Sequence, residues 1–193
     1  MSHTETSTYS PQNRKEWRNW LENNHISCQS VWVIFYKVKS DNHNLTWSEA
    51  VDEALCFGWI DSTKRPIDSE RYKQYFSKRK PNSGWSKINK DKVEALTSKG
   101  LMAEAGLKTI AEAKENGSWS MMDEIEQLII PDDLKRALDQ DGDARSFFMN
   151  LSKSKKKMLL HWVVVAKRKE TRIKRIKEVV KHAAKEQMPK QFR

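Results

Sequence analysis

The sequence lacks most of the features that would tie the chain to a metal, a disulfide framework or a membrane. It contains only two cysteines, Cys28 and Cys56, and neither belongs to a CxxC pair. This argues against a zinc site and, together with the absence of an export signal, predicts reduced thiols in a cytoplasmic protein. No apolar run approaches the roughly 20 residues that span a membrane. The N-terminal letters MSHTETSTYS lack the basic-then-apolar pattern of a signal peptide, so we expect no membrane insertion.

Common catalytic and nucleotide-binding motifs are also missing. The chain has no GxGxxG, P-loop, HExxH or GxSxG pattern, and its five histidines are scattered. We therefore expect no cofactor and no metal. Catalysis would require the fold to bring a general base to Cys56 or Asp61, because no base lies near either residue at a sequence spacing that would place the two side chains together.

Aromatic residues and positive charge are what the sequence has in excess. Eight tryptophans and six phenylalanines predict a packed core, although 32% of the residues are charged. The net charge is +10, and residues 151–193 alone carry fifteen basic and three acidic side chains. Two interpretations of this basic segment stay open. It is the solvated face of two helices, or it attracts phosphate polyanions such as nucleic acid.

Hydrophobic periodicity predicts an α+β protein. The β-branched and aromatic run 31–39 indicates a strand, and two extended runs, 59–67 and 71–78, indicate an antiparallel hairpin. They predict a small antiparallel sheet of about three strands. A helix is expected from Ser10-Pro11 onward, and a second over 47–57, where Thr46 and Glu49 form a capping box. From about residue 86 the pattern is helical to the end of the chain.

These elements predict three segments. Residues 1–10 are expected to be a disordered polar tail, and residues 11–100 an α+β core. Residues 101–193 are expected to form an all-helical module that packs with the core as one globular unit.

The segment ALCFGWIDS holds the first group of candidate residues. Cys56 lies opposite the apolar stripe of its helix, so either a second layer covers it or it lines a cleft. Trp59 and Asp61 share one face of the following strand, and the carboxylate needs a partner. Arg172 is the best candidate, because it lies near the apolar face of the last helix. Asp61 is then either a structural ion-pair partner or a pocket carboxylate.

A basic loop supplies the second group. Arg79 is followed by Ser83, which is well placed to cap the next helix, and free backbone amides beside Arg79 predict a seat for an anion. Asn89 falls within the apolar stripe that Trp85 begins, so it must be hydrogen-bonded or line a cleft.

Several long motifs resemble the bacterial YdeI/OmpD-associated (OmdA) family, the so-called bacteriocin-protection proteins. The motifs are WLENNH, VWVIFYK, EAVDEALCFGWIDS, DSERYKQYFSKRKPNSGWSKINKDKVEAL, GLMAEAGL and AKRKETRIKRI. The resemblance implies a cytoplasmic bacterial protein with a C-terminal helical module, but no established reaction and no catalytic residues. One departure is Lys78, which stands before Arg79 where the family tends to have proline.

Three functional hypotheses follow. The first is a small-molecule or anion-binding protein with a cleft between the hairpin and the last helix. Its candidate ligand-binding residues, drawn from the patterns above and from positions shared with the family, are Trp59, Asp61, Tyr72, Arg79, Ser83, Trp85, Asn89, Lys167, Thr171 and Arg172. The second is a nucleic-acid-associated protein that uses residues 153–185. The third is an enzyme of unknown reaction.

Overall fold

A computed structural model describes residues 7–192. These residues divide into two compact units, the first ending at Trp119 and the second beginning at Ser120. The first unit contains four strands and four helices, and the second is helical.

The first unit is built around a four-stranded sheet with strand order β1-β2-β4-β3. Its elements in chain order are β1 (Thr8–Tyr9), α1 (Arg14–Asn24), β2 (Ser30–Tyr36), α2 (Trp47–Cys56), β3 (Trp59–Pro66), β4 (Arg71–Lys78), α3 (Lys87–Ser98) and α4 (Glu104–Glu115). β2, β4 and β3 are antiparallel, and this confirms the α+β class and the hairpin. The expected three strands omit β1, which pairs parallel with β2 and makes the sheet mixed.

The N-terminal predictions need two corrections. Thr8–Tyr9 form a strand, so the prediction of a disordered tail is wrong there, while residues 1–6 lie outside the described part. A two-residue strand leaves no period-two pattern that the sequence could show. The first helix begins at Arg14 rather than at Pro11, because the side chain of Asn13 caps it by accepting from the amide of Glu16.

The two faces of the sheet differ in character because successive side chains point to opposite sides. One face is buried, and its Val31, Phe35 and Phe76 share a core with Trp17 of α1 and Ala54 of α2. We call the opposite face the outer face. Its residues on β2 and β4 are half-exposed, namely Ser30, Trp32, Ile34 and Tyr36 with Arg71, Lys73, Tyr75 and Ser77.

Helix α4 belongs to the first unit, which moves the expected boundary from residue 100 to residue 119. The amide of Ala103 donates to the Cys56 carbonyl at 3.1 Å, and Ile110 and Ala113 enter the core cluster of the sheet. The backbone at Gly106 lies so close to the end of α2 that an added Cβ would clash with the Cys56 carbonyl. The further prediction that the core and the helical part pack as one globular unit stays a prediction.

The regular elements of the second unit are all helices within residues 120–192, as expected. Its elements are α5 (Asp123–Glu126), α6 (Asp132–Asp139), α7 (Gly142–Asn150), α8 (Lys153–Val164), α9 (Lys169–Ala183) and a short 3-10 helix (Lys190–Phe192). Its core is formed by Leu134, Phe148, Leu160, Val163 and Val179, all of which are fully buried. Within residues 7–192, no helix is both long and apolar enough to cross a membrane.

Candidate functional site

A groove of about 710 Å³ lies at one end of the outer face, and we call it the outer groove. β2, β3 and β4 come together there, since Ser77 pairs with Ser30 on one side and with Ile60 on the other. The chain leaving β4 forms a wall, held where the amide of Arg79 donates to the Gly58 carbonyl at 2.9 Å. The lining residues are Gln29, Ser30, Ile60, Ser62, Tyr75, Ser77, Lys78, Arg79, Lys80, Pro81 and Ser83.

The lining of the outer groove is rich in hydroxyl groups and carries no acidic side chain. Ser30, Ser62, Tyr75 and Ser77 each contribute a hydroxyl that has no hydrogen-bond partner among residues 7–192. Ser83 is the exception, because its hydroxyl donates to the Lys80 carbonyl at 2.8 Å. A hydroxyl can donate a proton to an anion, so this lining suits a ligand with carboxylate or phosphate oxygens.

Arg79 places an uncompensated positive charge at this wall. The side chain is 9% exposed, and only Nη2 has a hydrogen-bond partner, the Gly84 carbonyl at 2.6 Å. Nε and Nη1 are buried without any partner, and no carboxylate within residues 7–192 forms an ion pair with Arg79. Burial lowers the pKa of the guanidinium to about 10, because it penalises the charged form.

The loop that carries Arg79 is fixed from both sides. The guanidinium lies over the ring of Trp85, which packs against Trp119 with their ring centroids 4.9 Å apart. The Pro81 carbonyl accepts from the side chains of Asn116 and Ser118, both at 3.0 Å. The loop therefore has its position set by the residues that follow α4.

The expected helix cap lies three residues further along than predicted. Ser86, not Ser83, caps α3, and its hydroxyl accepts from the amide of Asn89 at 3.3 Å. Ser83 instead closes a turn in which its amide donates to the Lys80 carbonyl at 3.0 Å. The amide of Asn89 is therefore taken by the cap, and the expected seat for an anion stays a prediction.

Three of the predicted site residues, Trp59, Asp61 and Tyr72, lie on the buried face of the sheet, away from the outer groove. Trp59 is fully buried, and its Nε1 donates to the His25 carbonyl at 3.4 Å. Tyr72 stacks on Phe35 with the ring centroids 5.2 Å apart. Because the sheet separates these rings from the outer face, they support the core.

Asp61 also points to the buried face, where it finds neutral partners. Its carboxylate accepts from Nε1 of Trp47 at 2.9 Å and from Nε2 of Gln74 at 2.8 Å. These bonds supply the partner that the sequence required, and they join the start of α2 to β3 and β4.

The remaining predicted residues belong to the second unit. Arg172 forms a bidentate pair with Asp133 of α6, with bonds of 2.6 and 2.9 Å, so the expectation that Asp61 is its partner is wrong. The pair holds the pKa of the Asp133 carboxyl below its usual value. Lys167 is exposed before α9, and Thr171 is half-buried in its first turn. The predicted cleft between the hairpin and the last helix stays a prediction.

Cys56 is a packing residue under a second layer, which was one of the two interpretations. It is fully buried where α4 covers the end of α2, and burial raises the pKa of its thiol to about 11. Among residues 7–192, no group of three or more His, Cys, Asp or Glu side chains could hold a metal ion.

Sequence reasoning missed the floor of the outer groove. Tyr75 and Ser77 alternate with the buried Phe76, and that period-two pattern marks them as neighbours on the outer face. Ser30 could not be found in this way, because its position opposite Ser77 depends on the register between two strands, and these two residues are 47 positions apart along the chain.

Two family models match the chain. Residues 9–109 match a family described as Domain of unknown function (DUF8412). Residues 127–186 match the OmdA family, described as Bacteriocin-protection, YdeI or OmpD-Associated. Neither the comparison with curated proteins nor the comparison with solved structures gave a match.

Proposed function

The chain belongs to the DUF8412 family and carries the OmdA segment of the YdeI, bacteriocin-protection type, and from this premise we propose that it binds a small anionic ligand in the outer groove. The groove lies within the part of the chain that the first family covers. Its volume is within the range of about 300–1,000 Å³ that is usual for small-molecule sites.

The observation that carries this proposal is the unpaired charge of Arg79. Buried charges in proteins are normally paired, because a buried charge without a partner does not recover its desolvation penalty, which is on the order of several kcal/mol. Arg79 keeps its charge without a carboxylate partner within residues 7–192, and it lines the outer groove. An anion bound in the groove would supply the missing negative charge.

The neutral groups of the outer groove support the same ligand chemistry. Hydroxyl donors on three strands surround a concave surface, so several could bind one oxyanion group at once. The absence of acidic side chains from this lining removes the repulsion that an anion would otherwise meet. Phosphate and carboxylate are the ligand groups that fit best.

Titration calorimetry on the full chain tests the proposal. Inorganic phosphate, pyrophosphate and citrate serve as probes at constant ionic strength, and we expect at least one to bind with a one-to-one stoichiometry. Arg79→Met and Ser77→Ala should each weaken that binding, because they remove the charge and one hydroxyl of the floor. Arg79→Lys should retain part of it, because it keeps the charge but loses the planar donor group.

A pair of lysine variants controls for general electrostatics. Lys80→Gln removes a charge that lines the outer groove, and Lys108→Gln removes an exposed charge on α4 outside it. The proposal requires only the first to weaken binding. Equal effects of the two variants, or no binding of any probe to the wild-type protein, would contradict it.

A second candidate function is nucleic-acid binding by the basic helices of residues 153–185. Lys174, Lys177 and Lys181 lie along one side of α9 and line a groove of about 400 Å³. None of the three forms an ion pair within residues 7–192, and such a row suits a phosphate backbone. If this face binds DNA, the triple change of these lysines to glutamine should abolish a mobility shift with duplex DNA at 50 mM salt.

Binding is better supported than catalysis. The thiol of Cys56 is buried and has a pKa of about 11, so almost none of it is the reactive thiolate at neutral pH. Asp61 is held by Trp47 and Gln74 on the buried face. We propose the cytoplasm as its location, which the unlinked cysteines Cys28 and Cys56 support. Cell fractionation tests the location.

A further inference from the structure

An aromatic and basic cluster lies on the outer face beside the outer groove. Trp32 and Tyr75 are directly opposite each other on β2 and β4, with ring centroids 5.0 Å apart in an edge-to-face arrangement. Nζ of Lys73 lies 4.9 Å and Cζ of Arg65 5.2 Å from the centroid of the Trp32 ring. We call these four residues the aromatic cluster.

The aromatic cluster and the outer groove are continuous. Tyr75 belongs to both, because its ring contacts Trp32 and also lines the groove. The outer-face side chains of β4 run from Arg71 and Lys73 through Tyr75 to Ser77, so cations, an aromatic ring and a hydroxyl follow one another along a single strand. Seven residues of β2 beside them extend over roughly 20 Å at about 3.3 Å per residue.

The charge of this surface has one sign. Lys73, Arg65 and Lys80 are cations of the face and its wall, and none forms an ion pair within residues 7–192. Arg71 is the exception, since it pairs with Asp68 at the tip of the hairpin. The surface therefore combines cations that form no ion pair within residues 7–192 with half-exposed aromatic rings.

From this arrangement we propose that the outer face binds single-stranded nucleic acid. Bases stack on Trp32 and Tyr75, Lys73 and Arg65 contact the phosphates, and a further phosphate lies in the outer groove near Arg79. Every base presents an aromatic face, so stacking on side chains together with a positively charged path is the general means of binding single strands. The inference rests on the proposed function of the groove, and it extends the ligand from one anion to a polyanion with bases.

A duplex fits this surface less well. Its bases are stacked on one another and cannot lie on Trp32, so only the phosphates would be recognised. A preference for single strands over duplex is therefore the property that separates binding at the aromatic cluster from binding at the lysines of α9.

Fluorescence anisotropy with labelled twelve-residue oligothymidine tests the inference on the full chain. We expect binding that weakens more than about tenfold between 50 and 200 mM salt, and a weaker response to a duplex of equal length. Trp32→Leu should weaken binding at least about tenfold. Trp32→Phe should retain most of the wild-type affinity, because the phenyl ring still stacks on a base. Lys73→Gln should weaken it more than Lys108→Gln.

Phosphate titration of the same variants separates this inference from the proposed function. Trp32→Leu should bind inorganic phosphate as the wild type does, which also shows that the groove is intact. Arg79→Met should lose the binding of phosphate and should bind the oligonucleotide more weakly than the wild type does. If phosphate binds and the oligonucleotide does not, the inference is overturned while the proposed function stands. Oligonucleotide binding that Trp32→Leu leaves unchanged, and that the triple α9 variant abolishes, would also overturn it.

Discussion

The guanidinium carbon of Arg79 lies 3.7 Å from the centroid of the Trp85 ring, and both side chains are buried. Stacking on the face of an indole recovers part of the cost of desolvating a cation, on the order of 2 kcal/mol when both are buried. It does not supply a counter-charge. The stacking therefore leaves Arg79 as a buried cation without a carboxylate partner among residues 7–192.

The first prediction is that Arg79→Met does not lower the free energy of unfolding in the absence of ligand. The depressed pKa of about 10 indicates a penalty of roughly 3 kcal/mol for the buried charge, and the variant removes it. Loss of the bond to Gly84 and of the contact with Trp85 offsets most of that gain. We expect a change between zero and about 2 kcal/mol in the stabilising direction, measured by urea denaturation.

Arg18→Met is the matched control for this measurement. Arg18 is a partly buried arginine of the same unit, and unlike Arg79 it has a carboxylate partner, because its Nη1 donates to the buried carboxylate of Glu53 at 2.7 Å. Removing it leaves that carboxylate with one partner fewer, so unfolding should become easier by about 2 kcal/mol or more. Equal losses of stability in the two variants would show that Arg79 is a structural residue.

The second prediction concerns the contact that assigns α4 to the first unit. A Cβ at Gly106 would meet the carbonyl carbon of Cys56 at 2.8 Å and the Leu55 carbonyl oxygen at 2.9 Å, both of them backbone atoms. Gly106→Ala should therefore destabilise the first unit by more than about 2 kcal/mol, although alanine is the better helix former. Gly142→Ala in α7 has open space around it and should be neutral or stabilising. Thermal unfolding of both variants provides the comparison.

The sequence predicted the elements well because their signals are local. Thr46 and Glu49 form the capping box that begins α2, and the hairpin lies within one residue of its expected bounds. Gly58 follows α2 with a φ of +73°, a backbone conformation that favours glycine and is common where helices end. Such signals depend on neighbours within a few residues, and tertiary structure does not alter them here.

The position of the candidate residues relative to the outer groove depends on which face of the sheet each residue occupies, and motifs along the chain do not carry that information. Trp59, Asp61 and Tyr72 were grouped with Arg79 through motifs along the chain, whereas the sheet separates them from the outer groove. Arg172 illustrates a second difficulty. Its position on the helical wheel correctly indicated a paired arginine, but the wheel holds no information on which carboxylate lies opposite.

The third prediction is that Cys56 stays unreactive in the folded protein. The residue is fully buried under α4, and burial raises the pKa of its thiol from 9.0 to about 11. In a Cys28→Ser variant at pH 8, modification by a disulfide reagent should proceed no faster than unfolding, whereas the half-exposed Cys28 of a Cys56→Ser variant should react directly. Rapid modification of Cys56 without denaturant would revive a role for it in a cleft.

The fourth prediction is a pH-dependent contribution of the Arg172–Asp133 pair to the second unit. The pair lowers the pKa of Asp133 below 3.8, so the folded state binds its proton less tightly than the unfolded chain does. The stabilisation is therefore present above about pH 4 and is lost as the pH falls through the depressed pKa.

Both side chains are partly exposed, at 26% and 38%, so solvent screening limits the contribution of the Arg172–Asp133 pair to about 1 kcal/mol. Asp133→Asn should lower the unfolding free energy by this amount at pH 7 and by less at pH 3. Asp139→Asn, which breaks the longer and more exposed pair with Arg145, should have a smaller effect at pH 7. A loss for Asp133→Asn that is the same at both pH values would mean that packing, and not the ion pair, accounts for the contribution of this residue.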